Sequence, residues 1–402
     1  MANKITGGFT AVPGFQAAGV AAGIKRHNGK DLALLVAPGS VPVAGVFTRN
    51  SFAAAPVQVT KKRVETGFAR AIVANSGCAN ACTGLKGLED AERMASLTAE
   101  AVGCHPGEVL VASTGVIGEY LPMPKIAAGI KAAARELSPD GGGAAAEAIM
   151  TTDTVPKEYA CQEEIGGRTV TFGGMAKGAG MIHPNMATML AFIACDAAIE
   201  RFLLIEALRR AVAVSFNMIT VDGDTSTNDM LLTLAGQTAG NPVIKDVESD
   251  DFRLFTAALS EVCISLAQAL VRDAEGATKF IEVKVKGCPD YASGRTAALS
   301  ILSSNLVKTA IFGEDANWGR IIMALGNSGL AIAPDKVAVF LGDIPVAAGG
   351  MGLAFDEDRA KGVLARKDIQ ITVDLGLGRE EVTGWGSDLS YDYVKINGSY
   401  RT

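Results

Sequence analysis

Short runs of aliphatic and β-branched residues recur along the chain and predict strands. Glycine, proline or polar residues bound most of these runs, which is typical of strands that pack into a core. The runs lie at 32–37, 71–74, 109–112, 169–172, 218–221, 281–285, 337–341 and 369–373.

A second pattern, with apolar residues at steps of three and four, predicts helices between these strands. It is clearest over 251–272, where the apolar positions fall on one face. Asp250 or Asp251 is expected to cap the start of that helix, and Pro124 suits the first turn of another. The predicted helices lie near 90–102, 124–137, 200–213 and 251–272.

Strands and helices together predict a mixed α/β fold. Because several strands follow one another closely, packed sheets flanked by helices are favoured over a simple doubly wound sheet. The segment Asp140–Gly143 is expected to be a flexible surface loop. From about residue 280 onward the strands become charged and alternating, which indicates a separate subdomain.

The composition excludes several classes of protein. With 402 residues, 49% of them hydrophobic and 20% charged, the chain can form a large core and is not extensively disordered. The net charge of −6, without a basic run interleaved with aromatics, argues against nucleic-acid binding. No apolar stretch is expected to cross a membrane, and the N-terminus lacks the pattern of a signal peptide. A cytoplasmic enzyme is therefore expected.

The seven cysteines follow no disulfide or metal-binding framework. Cys78 and Cys82 are four residues apart, but no second Cys or His pair accompanies them. The other cysteines are spread through mostly apolar surroundings. We therefore expect small reduced core residues and no metal site.

A lone hydroxyl, Thr188, separates a glycine-containing loop from the apolar run 189–195. A threonine at the N-terminus of a chain is a nucleophile that carries its own base, the free α-amine. Attack by the Thr188 hydroxyl on the carbonyl of Ala187, followed by hydrolysis of the ester, would create that N-terminus. The alternative is a β-branched residue at the start of a buried strand, and the local pattern alone favours this alternative.

Neighbouring segments offer groups that such a nucleophile needs. Thr114 and Gly115 follow the strand run 109–112, where a hydroxyl and a backbone N–H can form an oxyanion hole; an ordinary turn is the alternative. Lys177 offers a cation for a carboxylate or for developing negative charge, although a solvated loop lysine fits as well. The polar segment 151–154 is a further candidate.

Three familiar site patterns are not present in the sequence. The segment 173–178 is not followed by the Gly-Lys-Ser/Thr of a phosphate-binding loop. The segment 221–229 lacks the glycine and glutamate that an EF-hand requires, so calcium is disfavoured and polar packing around a site or turn stays open. The histidines His27, His105 and His183 fit no Ser-His-Asp triad.

A series of motifs in chain order resembles the ornithine acetyltransferase family, the glutamate N-acetyltransferases of arginine biosynthesis. The resemblance covers essentially the whole chain and reverses the preference for a plain buried strand at Thr188. The motifs are Ala44–Thr48, Asn75–Gly77, Ala79–Gly84, Ser113–Gly118, Met150–Thr154, Lys177–Ile182, Pro184–Phe192, Asp222–Asn228, Gly313–Arg320 and Lys395–Asn397.

The resemblance implies an N-terminal-nucleophile-like fold, a four-layer α-β-β-α sandwich with a smaller C-terminal α/β subdomain. It also implies self-cleavage at Ala187–Thr188 into an α chain, 1–187, and a β chain, 188–402. About 188–280 would complete the sandwich, and about 281–402 would form the C-terminal subdomain, its tail returning to the active site. The fragments are expected to stay together as an α2β2 assembly.

Residue by residue, the resemblance makes Thr188 the nucleophile and places Thr114 and Gly115 in the oxyanion hole. His183 and Cys78 depart from the family's usual small residue and asparagine, and neither replaces a residue with a chemical role. The residues implied to contact substrate are Thr154, Lys177, Thr188, Glu275, Asn397 and Thr402.

The activity implied by the resemblance is acetyl transfer from N2-acetyl-L-ornithine to L-glutamate, through an acetyl-threonine and without a cofactor. Acetyl-CoA would be a further donor if the protein is bifunctional, which the sequence leaves open. The expected partners are these small molecules and the chain's own fragments, with no nucleic acid or membrane. Two alternatives stay open: a self-cleaving N-terminal-nucleophile aminopeptidase or amidohydrolase, and a non-catalytic small-molecule binding protein.

Overall fold

The computed structural model describes residues 2–26, 29–183 and 189–399. The backbone divides into two compact units. The first unit comprises Met1–Met181, Asn185–Asn217 and Asp224–Leu270, and the second comprises Ile182–Pro184, Met218–Gly223 and Val271–Thr402.

Helices and strands alternate irregularly along the described residues. The α-helices are α1 Ala55–Val64, α2 Gly84–Val102, α3 Met123–Arg135, α4 Gly142–Ile149, α5 Arg201–Ala213, α6 Asp250–Arg272, α7 Tyr291–Leu302, α8 Asn305–Phe312, α9 Trp318–Gly326, α10 Glu357–Leu364 and α11 Tyr391–Gly398. The strands are β1 Asn3–Ile5, β2 Gln16–Val20, β3 Leu32–Phe47, β4 Phe68–Cys78, β5 Val109–Val116, β6 Lys157–Ile165, β7 Arg168–Lys177, β8 Leu190–Cys195, β9 Ile219–Thr220, β10 Met230–Ala235, β11 Phe280–Cys288, β12 Ala338–Leu341, β13 Ile344–Ala348, β14 Met351–Gly352, β15 Asp368–Asp374 and β16 Glu380–Ser387.

The elements predicted from the hydrophobic pattern are confirmed. Each predicted strand run contains a strand, although the run at 218–221 is reduced to two residues. The predicted helices correspond to α2, α3, α5 and α6, and Pro124 lies in the first turn of α3. Helix α2 begins at Gly84 rather than near residue 90, because its first turn contains two glycines that weaken the sequence signal for a helix.

A nine-stranded sheet forms the framework of the first unit, in the order β1-β6-β7-β8-β10-β3-β4-β5, with β2 also paired to β3. The long strand β3 belongs to two halves of this sheet. Its first part, Leu32–Val36, pairs with β2 and β4, whereas Val43–Phe47 pairs with β10. Most pairs are antiparallel, but β8 with β10 and β4 with β5 are parallel.

The two halves of the sheet enclose an apolar core. Leu35 of β3 faces this core together with Phe192 and Leu232 of the other half. Its neighbour Leu34 lies in a second cluster, with Met94 of α2. This alternation along β3 is what a strand buried on both faces requires.

Helices cover the outer faces of both halves. The second cluster contains Ile126 and Ile130 of α3 beside the residues of α2, so these helices form one outer layer. On the other half, the ring of Phe172 in β7 meets Phe255 of α6 edge-on, with centroids 5.1 Å apart. The first unit is therefore a four-layer α-β-β-α sandwich, and the predicted fold class is confirmed.

Helix α6 corrects two expectations. By length and apolar composition it could cross a membrane, contrary to the expectation that no stretch would, but half of its apolar stretch is buried inside the protein. Phe255 packs on the sheet, so α6 is a core helix. Its cap is Ser249, whose Oγ accepts the Phe252 N–H at 3.1 Å. Asp250 and Asp251 instead lie in the first turn, where their charges suit the helix dipole.

The segment Asp140–Gly143 is a loop only in part, because Gly142 begins α4. Close packing explains why glycines stand at these positions. A side chain on Gly142 would collide with Thr10 Oγ1, and one on Gly141 would collide with the backbone of Ala17. The expectation of a surface loop over the whole run is therefore wrong.

The second unit contains a seven-stranded sheet in the order β14-β13-β12-β15-β11-β16-β9. Helix α7 lies against β16, where Gly384 and Gly386 leave room for Leu302. Lys308 of α8 is buried and donates a hydrogen bond to the main-chain oxygen of Ser387. Burial lowers the pKa of Lys308 to about 8. The buried hydrogen bond from Lys308 links α8 to the end of β16.

Candidate active site

Thr114 and Gly115 lie within the C-terminal end of β5, directly before the turn at 117–118, so the alternative of an ordinary turn at these two residues is wrong. Gly115 lies opposite Gly77 in the parallel pair of β5 and β4. Its φ is +132°, and a side chain at this position would collide with the backbone of Gly77. Only glycine fits such a position. This strand end thus offers a hydroxyl and an adjacent backbone N–H, the donor types that an oxyanion hole needs.

Lys177, the last residue of β7, brings a cation to this strand end. Its ammonium lies 3.5 Å from Thr114 Oγ1 and donates to Thr151 Oγ1 at 2.7 Å. The residue is buried, so the alternative of a solvated loop lysine is wrong. Lys177 also pairs with Leu190 of β8, two residues after Thr188.

Asp153 forms ion pairs with two lysines, Lys157 and Lys177. Its carboxylate accepts from Lys157 Nζ at 2.6 Å and from the Gly178 N–H at 2.7 Å, and Lys177 Nζ lies 3.9 Å away. Burial alone would raise the pKa of Asp153, but the charges of Lys177 and Lys157 and the hydrogen bonds outweigh burial and lower it to about 2. Asp153 is therefore ionised at neutral pH.

A buried polar network supports the end of β5. Ser113 donates through its hydroxyl to Asn75 Oδ1 at 2.6 Å. The side-chain amide of Asn228 donates to the main-chain oxygens of Ser113, at 2.8 Å, and Ala79, at 2.7 Å. Polar packing around a site or a turn was left open for the segment 221–229. Asn228 does pack in this way, because its amide holds the main chain of Ser113, the residue before Thr114.

Two residues implied to contact substrate lie together in the second unit. The side-chain amide of Asn397 in α11 donates to Glu275 Oε2 at 2.8 Å. Glu275 is half-buried, and Asn397 is exposed. The pair offers an acid and an amide side by side, and its role in substrate binding stays a prediction.

Of the other predicted site residues, one lies within the described part of the chain and three lie outside it. Thr154 is exposed in the bend before β6. Ala187, Thr188 and Thr402 lie outside the described residues, so the nucleophile, the cleavage site and the C-terminal contact stay predictions.

The residues that depart from the family pattern have local hydrogen-bond partners. His183 Nδ1 lies 3.2 Å from Thr220 Oγ1 within the second unit. Cys78 is buried, its thiol donates to the main-chain oxygen of Glu119 at 3.3 Å, and burial raises its pKa. Both side chains therefore form hydrogen bonds with neighbouring residues of the fold.

The described part of the chain contains no group of three or more His, Cys, Asp or Glu side chains that could hold a metal ion. All seven cysteines are free. Five are buried, as expected for core residues, whereas Cys104 is half-buried and Cys82 is exposed. The expectation of core positions is therefore wrong for Cys82.

We predict that Gly115→Ala lowers kcat about 10²- to 10³-fold, which is the usual effect of losing one oxyanion donor. The added methyl group would collide with Gly77 and displace the end of β5. Gly118→Ala is a matched control, because Gly118 also has a positive φ, of +86°, but open space around it. Steady-state kinetics compare the two variants. Equal activity in both would contradict an oxyanion role for the end of β5.

Comparisons with known proteins agree on one family. The model of the ArgJ family matches residues 16–402. The arginine biosynthesis bifunctional protein ArgJ of Symbiobacterium thermophilum is 57% identical over 400 residues, 99% of each chain. That of Caldanaerobacter subterraneus subsp. tengcongensis is 51% identical over 393 residues, 97% of each chain. The crystal structure of the ArgJ protein from Bacillus halodurans is 42% identical with a TM-score of 0.51, and its whole chain covers 53% of this one.

Proposed function

We propose that this chain, which belongs to the ArgJ family, moves the acetyl group of N2-acetyl-L-ornithine to L-glutamate through an acetyl-threonine. The family identified from the sequence motifs is confirmed by the family model and by relatives of more than half identical sequence. The chain is accordingly an acyltransferase of arginine biosynthesis. A non-catalytic binding protein is thereby excluded.

The observation that carries the proposal is the contact between the Lys177 ammonium and the Thr114 hydroxyl. This contact lies beside β8, the strand that follows Thr188 in the chain. Lys177 pairs with Leu190 on β8 and reaches Thr114 Oγ1 at 3.5 Å. A cation, a hydroxyl and a backbone N–H thus lie next to the strand that begins two residues after Thr188, and this supports their proposed roles. This is the set of groups that an acyl transfer to a hydroxyl requires.

The first step is self-cleavage. The Thr188 hydroxyl oxygen attacks the carbonyl carbon of Ala187, and the C–N bond between the two residues breaks as a proton passes to the nitrogen. Water then hydrolyses the ester. The products are a carboxylate on Ala187 and a free α-amine on Thr188, in fragments of 187 and 215 residues.

The α-amine then serves as the base for turnover, since its unperturbed pKa lies near 8. It takes the hydroxyl proton as Thr188 Oγ attacks the acetyl carbonyl, and Thr114 and Gly115 stabilise the oxyanion. The resulting ammonium returns the proton to the departing amine of ornithine. The α-amine of glutamate attacks the acetyl ester and regenerates the hydroxyl.

Charge complementarity assigns the substrate contacts. Lys177 suits a substrate carboxylate, because it is a buried cation at the end of β5. Glu275, held by Asn397, suits the side-chain ammonium of ornithine. Thr154 and the C-terminal Thr402 complete the set carried over from the resemblance.

The same proposal extends to the cofactor, the assembly, the location and the second acetyl donor of the enzyme. No cofactor takes part, because the threonine and its amine supply the nucleophile and the base. The two fragments stay together as an α2β2 assembly in the cytoplasm. Acetyl-CoA would serve as a second donor in the bifunctional form that the names of the relatives indicate.

We predict that the purified protein forms N-acetylglutamate from N2-acetylornithine and glutamate, as measured by mass spectrometry. A second reaction without glutamate measures release of ornithine to water, and we expect it to be far slower. Equal rates in both reactions would instead indicate an amidohydrolase. A third reaction, with acetyl-CoA and glutamate alone, yields product only if the enzyme is bifunctional.

A further inference from the structure

The parallel pairing of β4 with β5 becomes irregular at the candidate oxyanion residues. Gly77 lies opposite Gly115. Beyond this pair the register shifts, and Cys78 pairs with both Thr114 and Val116. An irregularity of this kind disrupts the ladder of hydrogen bonds locally and bends the strand. The position of Gly115 therefore depends on contacts outside the ladder as well as on strand pairing.

Asp31, the residue before β3, holds the segment 22–25 with a side chain that the steps above do not use. The residue is 0% exposed. Its Oδ1 accepts the Ala22 N–H at 2.6 Å, and its Oδ2 accepts the Ile24 N–H at 2.5 Å and the Lys25 N–H at 3.1 Å. A buried N–H that loses its acceptor is costly, so this carboxyl group fixes the backbone of the segment.

The main chain of Asp31 is joined to the end of β4. The Ser76 N–H donates to the main-chain oxygen of Asp31 at 2.9 Å. This hydrogen bond lies one residue beyond the pairing of Leu32 with Asn75, and Ser76 is 0% exposed. Asp31 thus holds the segment 22–25 with its side chain and the end of β4 with its main chain.

Lys25 brings the segment 22–25 into contact with Gly77. A side chain on Gly77, whose φ is +100°, would have its Cβ 3.2 Å from Lys25 Cγ and 3.3 Å from Lys25 Cα. The Lys25 ammonium donates to the main-chain oxygen of Lys30 at 2.7 Å, so the side chain is held at both ends. Gly77 in turn leaves no space for a side chain on Gly115. Lys25, Gly77 and Gly115 are therefore in contact one after another.

We propose that Asp31 is a positioning residue for the oxyanion donors of acetyl transfer. The inference rests on the proposed function, because it takes Thr114 and Gly115 as those donors. Asp31 fixes Lys25, and Lys25 packs on Gly77. Gly77 then limits how the backbone of Gly115 can lie. An oxyanion donor acts only at hydrogen-bond distance from the oxygen that it stabilises, so a small displacement of this backbone lowers the rate.

Asp31→Asn is the first test of this role. Asparagine has one acceptor oxygen in place of two, so its amide nitrogen must face at least one of the three backbone N–H groups. We expect the segment 22–25 to shift and kcat to fall about tenfold to a hundredfold, a smaller effect than outright loss of an oxyanion donor. KM should change little, because the oxyanion forms in the transition state and not in the bound substrate.

Asp196→Asn is the matched control. Asp196 is 4% exposed, and its Oδ1 accepts the Thr171 N–H at 2.7 Å. The pairing of β7 with β8 places Thr171 and Lys177 at opposite ends of the two strands. Asp196 is thus a buried carboxyl that holds backbone away from the candidate site, so its loss should lower stability and leave kcat near the wild-type value.

A double mutant tests the route through Gly115. Gly115→Ala already displaces the end of β5, so the positioning by Asp31 has little left to preserve in that variant. Asp31→Asn should therefore lower kcat far less in the Gly115→Ala background than in wild type. Independent losses that multiply in the double mutant would overturn the inference, because a purely structural role of Asp31 predicts them.

The experiment measures thermal unfolding for wild type and each variant, and then kcat and KM for glutamate-dependent transfer at a temperature where all are folded. We expect the loss of kcat in Asp31→Asn and not in Asp196→Asn. A wild-type kcat in folded Asp31→Asn would overturn the inference, and so would equal losses of kcat in the two variants. Absence of transfer in wild type would refute the proposed function, and this inference with it.

Two variants of Lys25 decide the case in which Asp31→Asn does not fold. Lys25→Gly removes the side chain that covers Gly77 but keeps the backbone N–H that Asp31 accepts. Lys25→Met keeps an unbranched side chain and removes the charge. We expect the larger loss of kcat in Lys25→Gly. Equal kcat values in these two variants would overturn the inference, because the contact with Gly77 would then have no effect on turnover.

Discussion

A Thr188→Ala variant is expected to remain one chain of 402 residues and to show no acetyl transfer. The hydroxyl is the attacking atom both in self-cleavage and in turnover, so its removal stops both reactions. Loss of the nucleophile costs about 10⁶-fold in kcat in a well-studied serine protease, and an effect on that order reduces transfer to the background. Denaturing gels and the glutamate-dependent assay measure the two losses.

Thr188→Ser is the control for this prediction. Serine keeps a hydroxyl at the same position and lacks only the methyl group, so we expect both cleavage and transfer to persist at reduced rates. If Thr188→Ala were cut into fragments of 187 and 215 residues, another residue would have to be the cleaving nucleophile. Transfer by an uncut Thr188→Ala protein would remove the acetyl-threonine from the mechanism.

Much of the fold can be predicted from the sequence because its signals are local. The runs at 109–112 and 169–172 become β5 and β7, and the periodic segment 251–272 becomes α6. The errors arise where tertiary packing decides. Gly142 begins α4 although glycine disfavours helices, and its close contact with Thr10 comes from a distant part of the sequence.

For the candidate site, too, residues with a local sequence signal could be predicted, whereas residues that depend on tertiary contacts could not. Thr114, Gly115 and Lys177 were identifiable because hydroxyls, glycines and cations at strand ends form readable motifs. Asp153 was missed as an individual residue. Its significance comes from a partner on another strand, Lys177 at the end of β7. Within the polar segment 151–154, an aspartate followed four residues later by Lys157 was the available signal.

Asp153→Asn is expected to destabilise the protein by about 3–5 kcal/mol, the usual cost of breaking a buried ion pair from one side. The side chains of Asp153 and Lys157 are 0% and 1% exposed, with 2.6 Å between Oδ1 and Nζ. Asparagine keeps an acceptor but removes the negative charge that faces the buried Lys157 ammonium. The loss would also release Lys177 from the end of β5, so transfer should fall together with stability.

Chemical denaturation at neutral pH measures this effect, with two further variants as controls. Asp368→Asn breaks the pair with Arg272, whose side chains are 62% and 47% exposed, and exposed pairs contribute about 0–1 kcal/mol. Asp153→Asn combined with Lys157→Met removes both charges and should regain part of the loss. Equal destabilisation in Asp153→Asn and Asp368→Asn would contradict the importance of the buried pair.

The acid dependence of stability provides an independent check on Asp153. Its pKa is lowered from 3.8 to about 2 in the folded protein, so the folded state favours the ionised carboxylate. The stabilisation is fully present above the unfolded pKa and is lost as pH falls through about 2. Wild type should therefore lose more stability than Asp153→Asn between about pH 4 and pH 2. Parallel curves over that window would show that Asp153 is not the carboxylate that anchors Lys157 and Lys177.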